Sequence, residues 1–474
     1  MKKKLLALVM SVAIAIPAVS FVGCGSTQSA DVVIIGAGGA GLAAAVQAKQ
    51  DGAKNVVVLE KMPLVGGNTN RASSGINAAG TKYQEEKGIE DSVETMIEDT
   101  MKGGHQKNNP DLVKKLAEDS NGSIEWLTDL GADLTDVGRM GGASVDRCHR
   151  PTGGAAVGAH LVDTLKKAAE KKEVDVRLWN KAEEVVLDKE GKVSSVKATN
   201  KEGKEYVINT KAVVITSGGF SANQELVVKY NPALKGFSTT NHNGATGDCI
   251  EIAEKLGADF VDMKEIQTHP TVVPEKAVMI AETVRGNGAI LVNKEGNRFF
   301  NELDTRDAVS KAILSQKDGM AYIIFDDGLR KGLKQAEEYF NMGLVTEGDS
   351  IEDLAGKLEM DGATLKATIE KYNGFVSAKN DSDFGRTSMK KELNEGKFYA
   401  IPVAPAVHHT MGGIKIDTNA KVVNKDGNTI PGLFAAGEVT GGVHGANRLG
   451  GNALADIIAY GRTAGKNAVD FIKK

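Results

Sequence analysis

Gly36-x-Gly38-x-x-Gly41 restricts this chain most, because of what flanks it. The apolar run Asp31-Val-Val-Ile-Ile35 leads into it and the helical run Leu42 to Ala48 follows. A second apolar run, Asn55 to Leu59, ends at Glu60. Strand, glycine turn, helix and strand in this order make a βαβ unit. In such a unit the first glycine permits the turn and the second lets backbone approach a pyrophosphate. The third allows close helix–strand packing, and the phosphate meets the helix N-terminus. Glu60 lies 24 residues after Gly36, where a carboxylate accepts bonds from a ribose diol. Taken alone, the unit suits NAD and FAD equally.

The chain is 474 residues long, which predicts two or three lobes. Hydrophobic content of 41% and charged content of 25% describe a folding globular chain. The 55 glycines accompany only 10 prolines, so they read as tight turns and close ligand approach, not as linkers. A net charge of −4 gives no electrostatic case for nucleic acid. Three cysteines supply neither a disulfide framework nor a cysteine-rich metal site, and no metal is expected. No Cys-x-x-Cys-His occurs, so no c-type haem is attached to this chain.

The first residues read as an address. Lys2, Lys3 and Lys4 precede an apolar stretch from Leu5 to Val22, which ends in Phe21-Val22-Gly23-Cys24. This is an export signal over residues 1–23. Its end resembles the lipobox of bacterial lipoproteins, with Cys24 as the lipidated residue and Phe21 where leucine is usual. Simple cleavage and a retained anchor are the alternatives. Cleavage before Cys24 removes three lysines and takes the net charge to −7. Lipidation would hold the exported chain at the outer face of the cytoplasmic membrane. No other segment has about 20 uninterrupted apolar residues, so nothing else is expected to span.

Further along, Pro110 to Leu130 reads as amphipathic helix, and Ala212 to Ile215 as a buried strand entering Ser217-Gly218-Gly219. The pattern becomes mixed helix and short strand from about Lys264 to Val407, then returns to strand, glycine turn and helix from Gly432. No internal repeat is visible. The simplest architecture is a nucleotide-binding domain built from both ends of the chain, 24–263 and 409–474, with a second domain, 264–408, inserted.

Three further segments favour FAD: Gly66-Gly67-Asn68-Thr69, Gly432-Leu-Phe-Ala-Ala-Gly437-Glu438, and Gly450-Gly451-Asn452-Ala453-Leu454. With them the chain resembles the flavoproteins of the fumarate reductase and succinate dehydrogenase superfamily, and most of all the soluble flavocytochrome c fumarate reductases. The resemblance covers roughly residues 31–472. It implies an α/β fold, a Rossmann-type FAD-binding domain with an inserted α+β capping (clamp) domain. It also implies that Glu438 contacts the flavin's sugar-like chain, and that the last helix aims its N-terminus, at Asn452, Ala453 and Leu454, at the isoalloxazine carbonyl, where a positive dipole favours the reduced anion. By the same resemblance Asn68, Thr69, Ser74, Gly75, Ala182, Asp248 and His409 belong to the cofactor site. Membrane-complex relatives carry a histidine covalently bonded to FAD; its place here is held by Asn68, so FAD is expected to be non-covalent.

A flat dianion that accepts hydride needs cationic donors at both ends and an acid beside one carbon. The resemblance assigns one carboxylate to His408 and Arg448, whose planar fork gives two parallel charge-assisted bonds. It assigns the other carboxylate to His269, and places Met140 and Met279 on the pocket wall. Arg306 is the implied proton donor, with Glu282 and Arg285 as the relay that reprotonates it. Arginine ordinarily stays protonated, so its proton loss must be transient and refilled at once. The competing reading of these three ions is a structural salt-bridge network with a local Glu282–Arg285 pair.

The implied activity is reduction of the C=C bond of an α,β-unsaturated carboxylate, fumarate first, by an external donor, a separate haem or flavin carrier. Urocanate or another 2-enoate is the alternative. Ala281 stands where fumarate reductases usually have threonine, which removes a hydroxyl donor worth roughly 1.5–3 kcal/mol to a charged group. A ketosteroid-dehydrogenase-like flavoenzyme and a non-catalytic flavin-binding electron-transfer lipoprotein are further readings. Cys148 and Cys249 are expected to be small buried thiols.

Overall fold

The structure, a computed structural model, describes residues 27–333 and 336–474. The expected export signal and Cys24 lie outside the described residues. In chain order, the elements that build the site are β1 (Val32–Ile35), α1 (Gly39–Gln50), β2 (Val56–Glu60), β3 (Asp175–Leu178) and β4 (Ala212–Ile215). Then come β5 (Gln267–Val273), β6 (Val278–Met279), α2 (Glu282–Gly286), β7 (Ile290–Val292), α3 (Arg306–Leu314) and β8 (Ala321–Asp326). The last are β9 (Phe398–His409), β10 (Lys421–Val423), β11 (Thr429–Ala435) and α4 (Asn452–Ile472).

The first layer is a six-stranded sheet ordered β10-β11-β4-β1-β2-β3. Every pair is parallel except β10 with β11. Strands β1, β2 and β4 are buried along their whole length, because α1 and α4 pack on the sheet and so do the antiparallel strands Lys181–Leu187 and Val193–Thr199; with both faces covered, they read as unbroken Val/Ile/Leu runs. Each fully buried Val or Ile contributes about 1.5–3 kcal/mol. Glu60 ends β2, and the turns that follow β1, β4 and β11 carry Gly36, Ser217 and Glu438, so these residues gather at the carboxyl edge of the sheet, where open α/β sheets bind ligands. The α/β fold expected from the sequence is the observed one.

Helix α1 packs on α4 through an unusually close contact. A Cβ on Gly465 would meet the Ala44 carbonyl oxygen at 2.3 Å, and one on Gly461 would meet that of Ala40 at 2.7 Å. The alanine-rich face of α1 and these glycines let the two backbones nearly touch. Gly465→Ala must therefore push the helices apart, and we expect a loss of about 1–3 kcal/mol, read as a lowered urea midpoint; an unchanged midpoint would show that the contact relaxes freely. The span Pro110 to Leu130, read from sequence as helix, is two helices, Pro110–Glu118 and Ser120–Asp129, meeting at Asp119. Ser120-Asn121-Gly122-Ser123 holds poor helix formers, and the chain bends there.

The second layer is an antiparallel sheet ordered β6-β5-β9-β8-β7. Its apolar residues form two clusters of their own, one around Ile280, Ile323 and Ile401 and another around Ile290, Ile324 and Ile369. Strand β9 belongs to both layers. It pairs with β8 over Phe398–Val403 and runs on through Val407, which packs in the nucleotide-domain core. His408 and His409 thus sit where the two layers meet.

Candidate active site

Two adjoining cavities run from the carboxyl edge of the first sheet to the junction of the layers. The first is a cleft lined by Gly36, Gly38, Glu60, Ala182, Ser217 and Asp248. Gly36 has φ +105°, and a Cβ there would meet the Thr216 carbonyl oxygen at 2.6 Å, so only glycine makes this turn. A Cβ on Gly38 would face open space, which leaves its backbone bare toward the cleft. Gly41 is not on the wall; a Cβ there would strike the Gly36 carbonyl oxygen at 1.9 Å, as the packing role of the third glycine requires. Glu60 accepts from the N–H groups of Ala37 (2.9 Å) and Met62 (2.8 Å). Burial raises its pKa, and these two bonds oppose the rise. A carboxylate has about four acceptor positions, so two remain for a ligand. Asp248 is paired with Lys61 at 2.8 Å. Ser217 Oγ, on the cleft wall, is buried, and among the described residues only the Cys249 thiol is beside it as a partner.

Asn68, Thr69 and Glu438 line both cavities. Asn68 donates to Glu438 (3.2 Å) and accepts from His242 N (3.0 Å); Thr69 Oγ1 accepts from Gly39 N at 3.2 Å. Burial raises the Glu438 pKa, countered first by the N–H of Thr410.

The second cavity encloses about 630 Å³. Ser74, Gly75, Ala453 and Leu454 form its sheet-side wall. Helix α4 starts there from Gly451, at φ +89°, with no side chain capping it. The Asn452 N–H donates to the Leu449 carbonyl oxygen (3.2 Å), and the next two residues, Ala453 and Leu454, line the cavity, so the helix start brings positive partial charge to it. The bare glycine turn at Gly36–Gly38, the α4 N-terminus and the polar side chains that both cavities share fit a dinucleotide.

The same cavity is also lined by Arg306, Glu282, His269, His408, His409, Arg448 and Met279. Arg306 begins α3 and Glu282 begins α2, so each side chain springs from a helix start. Arg306 donates from Nη2 (2.5 Å) and Nε (3.1 Å) to one oxygen of Glu282, and from Nη1 to Gln267 Oε1 at 3.4 Å. Burial alone would raise the Glu282 carboxyl; the guanidinium groups of Arg306 and Arg285 outweigh it and hold it below its ordinary value.

Arg285 is one layer back. Its Nη1 donates to the Glu302 carbonyl oxygen, while Nε and Nη2 are buried without partners. Burial brings its pKa down to about 10. The local Glu282–Arg285 pair of the structural reading does not form among the described ion pairs; Glu282 is given to Arg306. Arg285 is anchored instead by Arg386, which donates to its carbonyl oxygen at 2.6 Å. Met140 is likewise behind the wall, buried against Gly450.

Arg448 donates from Nη1 to the Leu449 carbonyl oxygen (3.1 Å), and its Nε is buried without a partner. Burial, then the nearby Arg306 charge, lowers its pKa to about 9. The three histidines are pushed well below the usual histidine value, first by burial and next by Arg306 for His269 and His408 and by Arg448 for His409. They are neutral at pH 7. His409 Nδ1 accepts from Met411 N (3.0 Å) and His269 Nδ1 from Thr271 N (3.3 Å), which leaves the proton of each on Nε2. His408 Nδ1 is engaged with Thr240 Oγ1 at 2.7 Å.

Gln267 was not singled out by sequence. It sits two residues before His269 on β5, on the same face by the period of a strand. It ties Arg306 to the turn before α4, donating to Asn447 Oδ1 (2.7 Å) and the Arg448 carbonyl oxygen (2.9 Å). Tyr339 and Met342 also line the cavity; they come from the helix Ala336–Asn341 and its end, and no motif marked them.

Cys148 and Cys249 are buried and free. Burial pushes the Cys148 thiol up to about 12 and that of Cys249 to about 11, so both stay protonated and inert. Among the described residues no helix is long and apolar enough to cross a membrane, and no group of His, Cys, Asp and Glu is placed to hold a metal.

Comparison with known proteins agrees with this geometry. A family model described as FAD binding domain matches residues 31–454. A fumarate reductase (cytochrome) of Shewanella frigidimarina is 51% identical over 448 residues, covering 94% of this chain and 78% of the relative. A urocanate reductase of Eggerthella lenta is 40% identical, covering 94% of this chain and 75% of the relative. The solved open conformation of a flavocytochrome c3 fumarate reductase matches with a TM-score of 0.81 at 45% identity, over 94% of this chain and 79% of that one. The chain belongs to the FAD-binding domain family, among the flavoproteins of fumarate reductase and succinate dehydrogenase, and FAD is its cofactor.

Proposed function

We propose that this chain reduces the C=C bond of an α,β-unsaturated carboxylate, with fumarate to succinate as the reaction its site supports best. One observation carries the reading: a single cavity beside the α4 N-terminus holds the Arg306–Glu282 pair together with Arg448, His408 and His269. FAD, held non-covalently by the Gly36–Glu60 cleft and the wall that Glu438, Ala453 and Leu454 share, would supply the hydride chemistry for the alkene. Arg448 and His408 hold one carboxylate, and His269 the other. Arg306 gives its proton to the second alkene carbon while its charge steadies the negative charge developing there. Glu282, ionised at rest, takes up a proton from the Arg285 side and hands it to Arg306 after Arg306 has given its own away, so the carboxylate ends as it began. The 264–408 domain acts as a lid that shuts water out.

The test is anaerobic turnover of the FAD-loaded chain with reduced viologen and a panel of fumarate, urocanate, acrylate, crotonate and cinnamate. Rapid turnover with fumarate is expected. Turnover with a different enoate only would move the substrate and keep the chemistry, as Ala281 allows. Silence throughout, with reducible FAD bound, would favour a binding protein.

The site buries guanidinium groups in excess of carboxylates, so a dianion relieves their repulsion. Succinate at about 100 times its Kd contributes about 2.7 kcal/mol, and a rise of a few degrees in Tm is expected; no rise would count against the two-ended dianion site. The electron donor is proposed to be a separate haem or flavin carrier, and the chain to be exported and lipid-anchored at Cys24. Cys24→Ser should then release it from the membrane fraction into the soluble one.

A further inference from the structure

The strongest unassigned group in the cavity is the hydroxyl of Tyr339. It accepts a hydrogen bond from the N–H of Ala281 at 3.0 Å. Its own proton has no acceptor among the described residues. The ring is 3% exposed and lines the cavity. Burial pushes the phenol up to about 12, so it remains an O–H donor at any working pH.

The backbone around it fixes where that donor points. Ile280 N donates to the Thr271 carbonyl oxygen (2.8 Å) and Thr271 Oγ1 to the Ile280 carbonyl oxygen (2.9 Å). Thr271 is two residues beyond His269 on the same strand, and its N–H is the one that fixes the His269 tautomer. The Tyr339 hydroxyl and the His269 Nε2 proton are therefore tied to the same short stretch of backbone at the cavity. Ala281 is the position whose side chain, as threonine, would have offered a hydroxyl there. Here a methyl group stands in its place, and the hydroxyl bonded to the Ala281 N–H comes from Tyr339, on another element.

We infer that Tyr339 is a substrate-binding, specificity-determining residue, its O–H donating to a carboxylate at the His269 end of the substrate. It substitutes from a distance for the hydroxyl that Ala281 lacks, and so the site keeps its preference for an enoate with an anionic group at both ends. This rests on the enoate reductase reading above.

The experiment uses the FAD-loaded full chain and compares fumarate with crotonate, which carries a methyl group at that end. In Tyr339→Phe the ratio of kcat/KM for fumarate to that for crotonate should fall about ten- to a hundredfold, the size of a bond to a charged group. Ala281→Thr added to Tyr339→Phe should recover part of the ratio. A merely structural role would lower both substrates together and leave the ratio unchanged, which would overturn the inference while the enoate reductase reading stands. If the unaltered chain reduces no enoate, that reading fails by itself, and succinate affinity then decides for Tyr339. Weaker binding by Tyr339→Phe would support it, and equal binding would overturn it.

Discussion

Arg306→Ala is expected to reduce enoate turnover by about four orders of magnitude or more, with FAD still bound. General acid catalysis contributes about 10²–10⁴ and a donor placed on developing charge about 10²–10³, and Arg306 is proposed to do both. The flavin cleft shares no hydrogen bond with Arg306, whose bonds go to Glu282 and Gln267, so FAD content should not change. The substitution also strands the Glu282 carboxylate in a buried place, which costs about 3–5 kcal/mol, so the flavin spectrum and Tm must be measured with the rate. Glu282→Gln separates the two effects. It keeps Arg306 and removes the proton return, so kcat should fall with KM nearly unchanged. Turnover retained in Arg306→Ala would reassign the acid.

Arg448→Ala is the second large effect. Arg448 lies just before Gly451, from which α4 starts, and its Nε has no partner among the described residues. Two charge-assisted bonds to a carboxylate, each worth about 1.5–3 kcal/mol, are lost together, so kcat/KM should drop by about 10²–10⁴. Because this carboxylate also positions the alkene, kcat should fall along with affinity. Arg448→Lys keeps charge without the fork, and should restore only part of the loss. A variant with unchanged kcat/KM would show that the substrate lies elsewhere in the cavity.

The pair of predictions depends on residues that the chain keeps far apart. Glu282 and Arg306 are separated by 24 residues of sequence; what joins them is that α2 and α3 each begin at the cavity. Their spacing carries no periodicity, and only resemblance pointed to them. Gln267 was within reach, since it lies on the same strand face as His269. Tyr339 was not, because its hydroxyl meets Ala281 across 58 residues and nothing local marks that helix. The opposite case is the continuous helix read over Pro110 to Leu130, where apolar periodicity outlasted the helix itself and the weak formers after Asp119 decided the bend.

The sequence by itself determined the nucleotide half of this protein. Buried parallel strands need unbroken apolar runs, the Gly36 turn permits only glycine, and a carboxylate at the end of β2 is a local fact of the chain. These are short-range constraints, and they leave short-range signatures. Tertiary structure alone decided the protonation and reach of the chemistry. The histidines are neutral because burial and neighbouring guanidinium groups make them so, and Glu282 is ionised because Arg306 lies against it. The hydroxyl at Ala281 comes from a residue on another element. Desolvation and charge proximity depend on what packs around a group, and no residue carries that information in its own position along the chain.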